Sequence, residues 1–182
     1  MNLKEKQLTS NYLFKGRIIN LRQDTALLPN GNTATREVIE HPGGVCVAAL
    51  TDNDELLFVR QWRYPYMEET LEIPAGKRDR LDEDPLECGK RELREETGAT
   101  AESYIDLQPM YPTPGYINEV IYCYLATGLT FGEQDTDEDE FLDVLRIPLE
   151  KAVEMVLSGE INDAKTQIAV LKVKVLRDAG KI

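Results

Sequence analysis

Glu92, Glu95 and Glu96 stand at i, i+3 and i+4, so on an α-helix of about 3.6 residues per turn their carboxylates project from one face. Like charges at that spacing repel, at about 0.2–0.5 kcal/mol per pair in an isolated helix, and Arg91 can neutralise only some of them. Hard oxygen donors assembled against their own repulsion are the composition of a site for Mg²⁺ or Mn²⁺. The plainer reading is a solvated charged face, with Glu87 and Arg91, then Arg91 and Glu95, as ordinary i,i+4 pairs.

The surrounding residues carry the signals of the helix that must present these carboxylates. Asp84 is a candidate N-cap, Pro85 suits the first helical position and Glu87 stands at N3, which together make a capping box, and Gly98 supplies the stop. Upstream, a short apolar run ends in Pro74-Ala75-Gly76. Gly76, Glu83, Arg91, Glu92, Leu93, Glu95, Glu96, Gly98 and Ala99 together resemble the Nudix box, G-x5-E-x7-R-E-U-x-E-E-x-G-U with U aliphatic. Six residues rather than five separate Gly76 from Glu83. The extra residue falls in the loop before the helix, where a change of length is tolerated best. A match over nine specified positions in a loop-then-helix context is a strong signal.

Beyond the helix, Tyr111-Pro112-Thr113-Pro114-Gly115-Tyr116 is too rich in proline and glycine to be anything but a loop. Pro114, sixteen positions past Gly98, resembles the marker of the ADP-ribose pyrophosphatases within the Nudix family. The resemblance implies a Nudix-type α/β/α sandwich with a mixed sheet over residues 43–182. An N-terminal β-hairpin extension over 1–42 would precede it, exchanged between the subunits of a homodimer. The implied activity is Mg²⁺-dependent hydrolysis of ADP-ribose to AMP and ribose 5-phosphate, with Mn²⁺ as the alternative ion. Glu92, Glu95, Glu96 and the carbonyl of Ala75 would hold the metal, and Glu83 would pair with Arg91. In that subfamily an acidic loop before the last main strand contributes the catalytic base, which makes Glu138 and Glu140, in the acidic run 132–140, the unranked candidates here. Arg36 and Arg63 resemble substrate-holding arginines, and Tyr12 or Phe14 would stack on adenine across the dimer. Two other readings compete: another nucleoside diphosphate sugar as substrate, or an ADP-ribose-sensing Nudix domain without hydrolysis. The intact box carboxylates weigh against the second.

Composition bounds the rest. Among 182 residues, 33 acidic against 21 basic side chains leave a formal net charge of −12, so a nucleic acid would be repelled. A small diphosphate is compatible with this acidity through divalent cations, which invert the local sign. Cys46, Cys88 and Cys123 are odd in number and lack CxxC spacing, so they read as small buried hydrophobes rather than disulfides or zinc ligands. His41 is the sole histidine, in the turn-like His41-Pro42-Gly43-Gly44, which excludes a multi-histidine metal site. No apolar run has the length of a membrane span, and MNLKEKQLTSNY holds no signal segment, so a cytoplasmic location without a membrane partner is expected.

The positioning elements follow from local pattern. Residues 12–28 and 33–40 around Pro29-Asn30-Gly31-Asn32 read as an antiparallel hairpin. Residues 45–50 and 55–60 flank Asp52-Asn53-Asp54 as another, with Leu56-Leu57-Phe58-Val59 buried on both faces. Trp62 is expected on the core, whereas Arg63, just ahead of the phosphate site, offers a fork of donors to phosphate oxygens. Residues 104–110, 119–125 and 141–147 are strand-like. Pro148 opens a helix with Leu149, Val153, Val156 and Leu157 on one side, and Asn162 or Asp163 caps a last helix with Ile168, Leu171 and Val175 as its apolar stripe. This order indicates an α/β (α+β mixed) fold, a mixed sheet covered by helices.

Overall fold

The computed structural model describes residues 2–136 and 140–182. The chain divides into two compact units, one of residues up to 43 with 111–120 and one of 44–110 with 121–182.

In the first unit β1 (Lys6–Lys15), β2 (Asn20–Leu27) and β3 (Thr33–Glu40) form an antiparallel sheet in that order. The β2–β3 hairpin turns where the Pro-Asn-Gly-Asn signal stands, with Gly31 at φ 86°, a left-handed conformation glycine adopts without a Cβ penalty. The stretch read as the first arm is two strands, because the chain reverses at Gly16, whose N–H donates to the carbonyl of Ile19. A Cβ on Gly16 would lie 2.9 Å from that carbonyl oxygen. All of β1 is exposed, Leu8, Leu13 and Phe14 included. The proline-rich segment lies along β3, with the Ile39 N–H donating to Tyr116 O and the Asn118 N–H to Ile39 O. His41 is structural: its Nδ1 accepts from Gly43 N.

The second unit holds β4 (Gly44–Ala49), β5 (Glu55–Arg63), β6 (Glu68–Glu72), β7 (Ala75–Lys77), α1 (Pro85–Thr97), β8 (Ala99–Asp106), β9 (Ile121–Phe131), β10 (Leu142–Pro148), α2 (Leu149–Ser158) and α3 (Ala164–Asp178). One sheet has the order β7-β4-β9-β8, with β4 and β9 parallel and the other pairs antiparallel. The other has the antiparallel order β10-β5-β6. The 51–54 turn is present, its arms joined by the Leu50–Leu56 bridge and by two bonds between Thr51 and Glu55 before they part into different sheets.

Side-chain alternation along β4 explains the layers. Cys46 and Ala48 join Phe58, Leu125, Ala169, Val170 and Val173 in one cluster, beneath α2 and α3. Val47 and Ala49 join Leu57, Leu93 and Ala126 in the other, beneath α1. Leu56, Leu57, Phe58 and Val59 are all buried, as a strand covered on both faces must be. Helices thus cover strands on two sides, a mixed α/β sandwich. The three cysteines are free and buried.

Three packing expectations fail. Trp62 is 52% exposed, since it lies on β5 beyond the buried run. Leu157 faces solvent in the last turn of α2. On α3 the stripe of Ile168, Leu171 and Val175 is the outer one, and Thr166, Ala169, Val170 and Val173 are buried instead.

Candidate active site

The helix that carries the carboxylates is built as its ends require. Asp84 is the N-cap, its Oδ1 accepting from the N–H groups of Leu86 (2.9 Å) and Glu87 (3.1 Å). The reciprocal half of a capping box is replaced by a pair within the helix, Lys90 Nζ to Glu87 Oε1 at 2.7 Å. Gly98 ends the helix at φ 67° and donates to Arg94 O.

On this helix Glu92 and Glu96 are 8% and 3% exposed, facing inward rather than into solvent. The plainer reading of a solvated face is thereby excluded for both. Gly76 lies directly against Glu92: a Cβ there would stand 2.0 Å from Glu92 Cδ. The Ala75 N–H, at the start of β7, donates to Glu96 Oε2 at 2.9 Å. Arg91 Nη1 bridges Glu92 Oε1 (2.8 Å) and Glu95 Oε2 (3.0 Å), and its Nη2 lies 3.4 Å from Glu83 Oε1. The loop with the extra residue is closed on itself, Arg78 donating to Glu83 O and the Asp79 N–H to Glu83 Oε2.

Burial pushes the Glu92 carboxyl up to about 7 against the opposing pull of Arg91, with the charges of Glu95 and Glu140 adding to the rise. Glu96 goes up to about 8, again chiefly through burial, against the Ala75 N–H and with Glu92 and Glu140 contributing. The exposed Glu140 therefore lies near enough for its charge to act on both. Glu138 lies outside the described residues.

The acidic run is fastened to the far end of α1. Gly132 N donates to Gly98 O at 2.7 Å, Gln134 Nε2 to Glu96 O at 2.6 Å and Asp135 N to Glu95 O at 3.0 Å. Helix-terminal carbonyls, which have no partner within the helix, are thus satisfied by the segment that leads toward Glu140.

A second polar cluster, which the sequence reading missed, stands behind the carboxylates. Glu72, 2% exposed, accepts the fork of Arg63 through both oxygens at 2.6 Å, and also Thr70 Oγ1 and Lys165 Nζ. Burial works to raise the Glu72 carboxyl, but Arg63 and Lys165 prevail and hold it down at about 2. Nearby, Thr166 Oγ1 accepts from Ile73 N and Asp163 caps α3. Asp163 was legible as a cap, but nothing in local spacing ties Lys165 or Thr166 to residues 72 and 73, more than ninety positions away.

The second unit thus brings together Ala75, Glu92, Glu95, Glu96 and Arg63, with Glu140 in reach. Arg36, Phe14 and Pro114 belong to the first unit. There Arg36 is paired with Glu5 at 2.6 Å, Phe14 is 56% exposed on β1, and Pro114 lies in the turn region beside β3. Among the described residues no three His, Cys, Asp or Glu side chains form a ready-made metal-ligand group. The donor chemistry nonetheless fits a divalent cation: buried carboxylates, a neighbouring backbone segment, and a glycine whose missing Cβ leaves Glu92 its place.

The NUDIX domain family matches residues 40–168, and the nucleoside diphosphate sugar hydrolase N-terminal domain matches residues 5–39. The chain is 39% identical over 171 residues to an ADP-ribose pyrophosphatase of Bacillus subtilis (strain 168), covering 93% of this chain and 92% of that one. It is 40% identical over 169 residues to a methanol dehydrogenase activator of Bacillus methanolicus, with 92% and 91% covered. The crystal structure of an ADP compounds hydrolase shares the fold, with a TM-score of 0.85 at 22% identity over 100% of both chains. With glycine, arginine and inward-facing glutamates in their expected places inside the matched stretch, this chain belongs to the NUDIX family.

Proposed function

We propose that the chain hydrolyses the diphosphate of ADP-ribose to AMP and ribose 5-phosphate, using Mg²⁺ with Mn²⁺ as a substitute. The observation that carries this reading is the pair of buried carboxylates, Glu92 and Glu96, packed against Gly76 and the backbone of Ala75. The likeness to an ADP-ribose pyrophosphatase supports the choice of substrate.

Glu92, Glu95 and Glu96, with the Ala75 carbonyl, would hold the cations, which when bound neutralise the diphosphate and make a nearby water more acidic. Arg91 sets the rotamers of Glu92 and Glu95. Glu140 takes a proton from the attacking water as its oxygen bonds to phosphorus, and the bridging P–O bond breaks toward the departing phosphate. Its electrostatic reach to Glu92 and Glu96 supports this role, and Glu138, outside the described residues, is the alternative base. Arg63 donates to a phosphate oxygen.

Purified protein should release AMP and ribose 5-phosphate from ADP-ribose with Mg²⁺, and a chelator should abolish it. Glu140→Gln should cut turnover by about 10²–10⁴ with metal affinity nearly kept. A panel of other nucleoside diphosphate sugars tests the substrate, and preference for one of them would replace ADP-ribose. The exposed apolar side chains of β1 support a homodimer built through the first unit, and a monomer by size-exclusion chromatography would remove it. A second reading follows from the relative named as a methanol dehydrogenase activator: this chain would raise the turnover of a purified alcohol dehydrogenase. No stimulation on mixing the two would dismiss it.

A further inference from the structure

We propose that Lys165 is a positioning residue that frees Arg63 to leave Glu72 for a substrate phosphate. The inference rests on the proposed role of Arg63 in binding the diphosphate. The two Glu72 oxygens are shared among three side chains. Oε1 accepts from Arg63 Nε and Thr70 Oγ1, each at 2.6 Å, and Oε2 accepts from Arg63 Nη2 and Lys165 Nζ. Each oxygen therefore has two donors, one from Arg63 and one from elsewhere.

That redundancy matters because Glu72 is the buried member. Its side chain is 2% exposed and that of Lys165 12%, whereas Arg63 is 39% exposed. A buried carboxylate that loses its only partner is strongly destabilised. Here the departure of Arg63 leaves Thr70 on one oxygen and Lys165 on the other, so no acceptor is orphaned.

Lys165 is itself held in place, with Nζ 3.0 Å from Asp163 Oδ1. The Asp163 Oδ2 atom caps the helix through Thr166 N at 2.9 Å, and Thr166 Oγ1 accepts from Ile73 N at 3.0 Å. The first turn of α3 thus grips residues 72 and 73, directly ahead of the Pro74-Ala75-Gly76 segment that lies on Glu92 and Glu96. Among the described residues the charged partners of Lys165 are Glu72 and Asp163 rather than Glu92, Glu95 or Glu96, so it acts through Glu72 on Arg63.

Without Lys165, Glu72 must keep Arg63 to itself. Lys165→Met should therefore weaken binding of ADP-ribose, raising KM about tenfold with a smaller change in kcat. Lys165→Arg should restore most of it, and Thr70→Val should reproduce the defect in weaker form. The deciding measurement is a double-mutant cycle on the Kd of α,β-methylene ADP-ribose, read by calorimetry for wild type, Lys165→Met, Arg63→Gln and the double variant. Lys165→Met should have no further effect on Kd once Arg63 is gone.

An additive cycle, or equal loss of affinity in both Arg63 backgrounds, overturns the proposal and leaves Lys165 a structural residue. Failure of Lys165→Arg to rescue does the same. Because the cycle reads binding, it stands apart from turnover: a wild type that binds the analogue but does not cleave ADP-ribose defeats only the hydrolytic reading. A wild type that does not bind it defeats both.

Discussion

Gly76 shows how little freedom a single position in this site has. Its hydrogen occupies the space where a methyl group would meet the Glu92 carboxylate at 2.0 Å. Gly76→Ala should displace Glu92 and lower turnover by more than about tenfold, because misplacing a catalytic group by about 1 Å can cost about 10²-fold. Unchanged kinetics would show that Glu92 can be held elsewhere without loss. The two buried carboxyls also set a pH dependence. Glu92 and Glu96 are raised to about 7 and about 8, above their ordinary values, so the folded chain binds more protons than the unfolded one across that window. Their contribution to stability is then fully present below the ordinary carboxylate range and is lost as pH rises toward about 8. In metal-free protein the thermal midpoint should fall as pH goes from about 5 to about 8 through these groups. A combined Glu92→Gln and Glu96→Gln variant should flatten the slope, and Mg²⁺, which needs the ionised forms, should bind more tightly at the higher pH. A slope unchanged in the double variant would reassign it to other groups.

Among the elements, α1 was legible because its signals are local. Asp84, Pro85 and Gly98 each act within one turn of the helix end they define. The facing of α3 was not legible. Ile168, Leu171 and Val175 repeat at helical spacing, and so do Thr166, Ala169 and Val173, two positions earlier, with Val170 beside them. Side-chain size favours the first set, but close approach to β4 and β9 selects the smaller residues of the second, and Thr166 is admitted because its hydroxyl finds Asp163 and Ile73. Truncation tests this directly. Val170→Ala, at a fully buried position, should cost roughly 1–3 kcal/mol in chemical denaturation, and Ile168→Ala less than about 1 kcal/mol. The reverse order would mean that α3 is turned the other way. Trp62 teaches the same lesson on a strand: the apolar run of β5 stops at Val59, and a large aromatic beyond it need not follow the core.

At the scale of the whole molecule, the sequence announced the layers but not the strand order. That β4 and β9 pair side by side in parallel, 77 residues apart in register, depends on contacts no local window contains. The same holds for the clasp that joins Gly98 to Gly132. The chain between them closes a loop through the antiparallel β8–β9 pair, so the acidic run begins pinned to the helix end. Gly98 cannot carry a Cβ there, since one would lie 2.4 Å from Gly132 O. The amides of Gly132 and Asp135 belong to no strand or helix, yet one donates to the carbonyl of Gly98, the residue that caps α1, and the other to that of Glu95 in its last turn. In deuterated buffer those two N–H groups should exchange at the pace of the last turn of α1, and they should lose that protection together when the turn frays.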